Sequence, residues 1–162
     1  MAALSRANIR LHDVTHASGI ASTVMADQPI VVERPEYFGS PNEVRVAGSD
    51  AFGLNGGANR WSFAGGDTTG TNNSEFLLLY NPTAKAIPVA VTFYGSDGRG
   101  QHRIVLLPAN ARLTLDVQRL APGLAGIHGV TLESANGQGF ITEQTMFGRD
   151  LTSLSSTQGF AQ

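Results

Sequence analysis

Apolar and polar residues alternate in short runs along this chain, and the runs recur at intervals of about ten residues, the rhythm of antiparallel strands joined by turns. The first runs are "ANIRLHDV", with Ile9, Leu11 and, after a shift, Val14, then "GIASTVMA", "PIVVERPEYF" and "EVRVAG". Pro35 and the Gly39/Pro41 pair close the third of these. Residues 48–60, "GSDAFGLNGGANR", read as a loop. Seven further runs follow: "RWSFAGG", "EFLLLYNP", "IPVAVTFYG", "GQHRIVLLPA", "ARLTLDV", "GIHGVTLES" and "GFITEQTMF". Asp97-Gly98 in "GSDGRG" is the strongest hairpin signal. Asn81-Pro82 marks a turn, and Pro88 points to an edge strand or a bulge. No long window carries a 3.6-residue period; "VQRLAPGLAG", broken by Pro122-Gly123, predicts at most one helical turn.

Composition supports an all-β reading. Among 162 residues, charged side chains are only 15%, below the roughly 25% of an average globular protein, and there are 19 glycines. A net charge of -2 without a Lys/Arg cluster argues against a nucleic-acid or anionic-membrane partner. With no cysteine there is neither a disulfide framework nor a thiolate metal site. "MAALSRANIRLHD" lacks the apolar run of a secretory leader, and no stretch reaches the ~20 apolar residues of a membrane helix. The expectation is a chain that is soluble as given, any leader lying upstream or having been removed.

The chain also repeats itself. "QPIVVERPEYFG" (28–39) is echoed by "QGFITEQTMFG" (138–148), and the echo extends backwards. Arg6, Ile9 and Leu11 correspond to Arg112, Leu115 and Val117; Gly19-Ile20 corresponds to Gly126-Ile127; Glu33 corresponds to Glu143. The offset grows from 106 (112 minus 6) to 110 (143 minus 33), as small loop insertions would produce. A period of ~110 residues is the size of an immunoglobulin-like sandwich. The chain then reads as one full repeat preceded by the last third of another: 1–47, C-terminal strands of a partial repeat; 48–60, a Gly/Asn-rich connection; 61–148, a complete repeat; 149–162, a polar tail.

The run "PIVVERPEYF … WSFAGGDT … EFLLLYNPTAKAIPVAVTFYGSDG … LLPANARLTLDV … GVTLES … ITEQTMF" resembles the tandem immunoglobulin-like β-sandwich repeats of large secreted and surface-attached bacterial proteins. The likeness covers about residues 5 to 148. Two positions depart from the family pattern: Gly66 stands where an acidic residue is usual, and Gln144 replaces the Arg kept at Arg34. The resemblance implies an extracellular or cell-surface location and a structural role rather than a reaction.

Candidate chemistry is sparse. Glu33 and Glu143 are equivalent positions of two repeats, so they read as halves of two structural ion pairs, Arg6 with Glu33 and Arg112 with Glu143, rather than as a catalytic carboxylate pair. His12, His16, His102 and His128 have no metal-ligand spacing and are expected solvated or packed at strand ends. Asp67, Asn72, Asn73 and Glu75 offer oxygens to Ca²⁺, without the spacing of an EF-hand loop. Ser5, Ser18 and Ser74 lie in no nucleophile elbow. Trp61 is the candidate ligand-binding aromatic, with Phe63, Tyr80, Phe93 and Tyr94 completing a sugar-stacking platform; strand aromatics are more often core. The reading is therefore a non-enzymatic structural or assembly module with no cofactor. Its partners are copies of itself, neighbouring repeats or cell-wall glycan, with self-assembly into filaments by strand exchange. The alternative is a carbohydrate-binding module of a secreted enzyme.

Overall fold

The computed structural model describes residues 4–38, 47–69, 73–124, 126–148 and 153–162. Among the described residues, nine strands build a sandwich: β3 (Arg60–Asp67), β4 (Ser74–Asn81), β5 (Ile87–Gly95), β6 (Gly100–Leu107), β7 (Ala111–Asp116), β8 (Ile127–Ser134), β9 (Ile141–Phe147), β10 (Leu154–Gln158) and β11 (Phe160–Ala161). A separate hairpin precedes them, β1 (Glu33–Phe38) with β2 (Ala47–Phe52), and α1 (Val117–Leu120) is the single helical turn between β7 and β8. One sheet runs β10-β9-β4-β7 and the other β11-β3-β8-β5-β6, with every pairing antiparallel. The fold is the all-β antiparallel sandwich that the strand rhythm predicts.

Period-two alternation decides what faces inward. Leu77 and Leu79 of β4 and Ile87, Val89, Val91 and Phe93 of β5 point between the sheets and are fully buried, joined there by Leu132 and Phe140. The Asp97-Gly98 turn forms as predicted: Gly98 takes φ +78° and Gly95 N donates to Arg99 O at 2.8 Å. Asn81 is buried, donating to Lys85 O (2.8 Å) and Pro108 O (2.9 Å), so it ties the β4–β5 turn to the β6–β7 turn. Pro88 lies neither on an edge nor at a bulge. It precedes the stretch in which β5 pairs with β8, which begins at Val89↔Ser134, so its missing N–H removes nothing from that ladder.

Within β3–β9, the second strand pairs with the fifth (β4 with β7) and the third with the sixth (β5 with β8), as in an immunoglobulin sandwich. Three strands stand in the other sheet: β3 pairs with β8, β9 with β4, and β6 with β5 rather than with β7. Within residues 149–162, expected as a polar tail, the described residues 153–162 instead supply β10 and β11, one edge strand to each sheet. Residues 48–60, expected as a connection, include most of β2.

The N-terminal region departs furthest from expectation. Neither "ANIRLHDV" nor "GIASTVMA" forms a strand; residues 4–32 hold only a 3-10 turn at Leu11–Asp13, and "PIVVERPEYF" is a strand only from Glu33. Residues 43–46 of "EVRVAG" lie outside the described residues. The turn at Leu11–Asp13 stands at the position of α1, and β1 stands at the position of β9. Residues 5–10 and 19–26, which the sequence echo aligns with β7 and β8, are not strands: among the described residues no backbone ladder forms against them. Among the described residues no helix is long and apolar enough to cross a membrane.

Candidate functional site

The parity that buries Leu77 and Leu79 also drives Glu75 into the core, where it meets His128 of β8. Both side chains are 0% exposed, with His128 Nε2 3.2 Å from Glu75 Oε2, close enough for charge attraction but off the line of a hydrogen bond. Glu75 Oε1 accepts from Gln144 Nε2 at 2.8 Å, and Oε2 accepts from Asp67 N at 3.1 Å. His128 Nδ1 lies 3.1 Å from Gly126 O and donates to it, so a further proton taken up by the ring goes to Nε2, the nitrogen that faces Glu75. Burial alone would lower the His128 pKa, but the Glu75 carboxylate, the Gly126 carbonyl and Asp67 outweigh it and hold the pKa above 6.5. Asp67 is held below the ordinary carboxylate range, chiefly by the Thr69 hydroxyl and N–H.

Gly66 and Gln144 frame this pair. A Cβ at Gly66 would overlap His128 Nε2 and lie 2.8 Å from Glu75 Oε1, so a larger residue would displace the pair. Gln144, itself buried, supplies the hydrogen bond to Glu75. His128 is the second residue of β8 and is packed there, within the expectation for the histidines; what that expectation lacked is the buried carboxylate beside it. The signal was present in the sequence, since Glu75 shares the parity of two leucines in "EFLLLYN". Outside the pair, a groove of about 200 Å³ opens between β3 and β10, lined by Phe63, Gln144, Thr157, Gln158 and Phe160 among others.

The expected calcium ligands do not converge. Glu75 points into the core, while Asp67 accepts from Thr69 N at 2.7 Å, from the Thr69 hydroxyl and from Asn73 Nδ2 at 3.1 Å. Asn72 lies outside the described residues, and among those described no three His, Asp or Glu side chains gather as a metal site. Trp61 is 2% exposed, its indole N–H shared between Phe140 O (2.9 Å) and Ala58 O (3.1 Å), so it is core and cannot stack on a sugar. Phe63 and Phe93 are buried with it.

One expected ion pair forms and the other is replaced. Arg6 meets Glu33 at 3.3 Å, but the side chains are 73% and 39% exposed, where such a pair contributes little. Glu143 is not paired with Arg112. Across the outer face of the four-stranded sheet, Arg112 is level with Tyr80 and Ile141, whereas Glu143 is level with Leu78 and Thr114. The two residues are thus separated by the whole of β4 and by a two-residue stagger. Arg112 donates instead to Thr114 Oγ1 at 2.7 Å, and Gly19 rests against its guanidinium. Burial and the nearby Arg34 lower its pKa.

Arg34 of β1 takes Glu143, reaching both carboxylate oxygens at 2.7 and 2.8 Å, and also contacts Glu36 at 3.2 Å. Burial, assisted by Glu36, raises the Glu143 pKa against the pull of Arg34. Ser156 N donates to Ser49 Oγ at 3.0 Å and the Gln158 amide to Phe52 O, which seats the β1–β2 hairpin beside β10.

No family model matches this chain and no curated protein is similar to it. Among solved structures, the chain is similar to Thermotoga maritima 1070, with 19% identity and a TM-score of 0.59 over 67% of this chain and 97% of that one. It is also similar to the Anabaena sensory rhodopsin transducer, with 17% identity and a TM-score of 0.47 over 53% and 91%. The first likeness shows a shared sandwich fold and leaves about a third of the present chain without a counterpart.

Proposed function

We propose that this chain is a non-catalytic structural module of a bacterial surface or secreted protein that assembles with copies of itself through its N-terminal arm. The arm carries the reading. In residues 4–32, Ile9 (74% exposed), Met25 (91%) and Val31 (85%) stand in water together with Val14 and Val24, in a segment patterned as strands yet lacking a sheet. Burying each such side chain is worth ~1.5–3 kcal/mol. Unpaired β-patterned segments with apolar side chains are templates for pairing with another chain. The resemblance to extracellular repeats supports the location, and the immunoglobulin-like pairing of β4 with β7 and β5 with β8 supports the module type. The glycan-binding alternative has lost its residue, since Trp61 is buried. Sedimentation velocity of the full chain over a hundredfold concentration range tests the reading. Species larger than a monomer should form and be lost in the Val24→Asp/Met25→Asp variant; a monomer throughout refutes it.

A further inference from the structure

The proposed assembly leaves open which surface receives the arm, and the sandwich has four edges. β10 has the β1–β2 hairpin beside it. β11 is only two residues long. β7 has the arm across its outer face, with Gly19 against the Arg112 guanidinium. β6 remains, and it has the features of an acceptor.

Among the described residues it pairs on one side only, with β5, in an unbroken register from Ile87↔Leu107 to Tyr94↔Gly100. Among the described residues, the backbone of 101–106 makes no further hydrogen bond to backbone. The strand "GQHRIVLL" has no proline, lysine or acidic residue, which are the usual guards of an exposed edge. Its one charge, Arg103, is folded back onto Leu120 O (3.0 Å) and His102 O (2.8 Å). Beside that open edge, Ile104 is 70% and Leu106 61% exposed.

The arm offers a match. Residues 19–26, "GIASTVMA", are eight residues without charge or proline, facing an acceptor strand of eight residues. The internal echo aligns them with β8, a strand of the same five-stranded sheet to which β6 belongs. Among the described residues their backbone makes no backbone hydrogen bond, and Thr23 Oγ1 to Tyr80 OH at 3.2 Å is a light tether. Through Tyr80 and Arg112 the arm lies on the four-stranded sheet, the layer opposite β6. The strand that fits β6 is therefore the arm of a second copy.

We infer that residues 19–26 of one copy add as a sixth strand to the β6 edge of the next, extending the five-stranded sheet and covering Ile104 and Leu106. The contact is head to tail, so it builds a filament unless the rotation closes a ring. This rests on the assembly reading above, and the test separates the two. In sedimentation, Ile104→Lys/Leu106→Lys, which alters only exposed side chains, should run as a monomer with an unchanged melting temperature while the wild type assembles. Because the chain has no cysteine, Val24→Cys and Ile104→Cys preparations can be mixed under oxidation. The two introduced thiols should then join as a disulfide between copies. If Val24→Asp/Met25→Asp abolishes assembly but the β6 lysines do not, and no mixed disulfide forms, β6 is not the acceptor although the arm still drives assembly. A wild type that is monomeric throughout overturns both.

Discussion

Arg34 and Glu143 are 109 residues apart in sequence, yet the guanidinium of one reaches both carboxylate oxygens of the other at 2.7 and 2.8 Å. This bridge fastens the β1–β2 hairpin to the sandwich. The pair is partly buried, so Arg34→Ala should destabilise the fold by about 1.5–3 kcal/mol, the range for hydrogen bonds to a charged group. A double-mutant cycle in urea should show coupling between Arg34 and Glu143 and less between Arg112 and Glu143. Hydrogen exchange should show β1 and β2 amides losing protection in Arg34→Ala while β4 and β5 keep theirs. Equal coupling for the two arginines contradicts this assignment.

The Glu75–His128 pair makes stability pH-dependent. The folded-state pKa of His128 is raised above 6.5, so the native state binds a proton that the unfolded chain has released. The resulting stabilisation is fully present below pH 6.5 and is lost as pH rises through the folded-state pKa. The melting temperature of the wild type should fall across that window, and that of His128→Asn should fall less. A parallel pH profile for the two proteins would show that His128 binds no extra proton on folding.

Two adjacent glycines should respond differently to the same substitution. A Cβ at Gly66 overlaps His128 Nε2, whereas one at Gly65 has no neighbour within 4 Å. Gly66→Ala is expected to destabilise by about 1–3 kcal/mol through overpacking, and Gly65→Ala by less than about 0.5 kcal/mol. Urea denaturation midpoints measure both, and equal effects would mean that the buried pair yields readily.

Trp61→Ala should act on folding. Removing a buried indole opens a cavity at a cost of about 3–5 kcal/mol, and it leaves the Phe140 carbonyl without its indole donor. Calorimetry should register this as a large drop in melting temperature. A folded Trp61→Ala protein of wild-type stability would contradict the core position.

Several features were legible because their causes are local. Alternation in "EFLLLYN" and "IPVAVTF" sorts inward from outward positions, since successive strand residues point to opposite faces. Asp97-Gly98 turns the chain because glycine there reaches a positive φ. The apolar character of the arm could also be read directly, from the alternation in "ANIRLHDV" and "GIASTVMA", although those runs, expected as strands, are not strands.

What the tertiary structure alone decided is who stands next to whom. That β4 separates Arg112 from Glu143 depends on sheet order, so the partner of Glu143 comes from β1, in the hairpin that precedes the sandwich strands. The Glu75–His128 pair requires β4 and β8 to face each other across the core, and residues 154–161 become strands because β9 and β3 leave edges for them. Residues 19–26 carry the pattern of β8 without its conformation. Hydrophobic period is a property of one segment, whereas a strand exists only when a neighbour completes its hydrogen bonds.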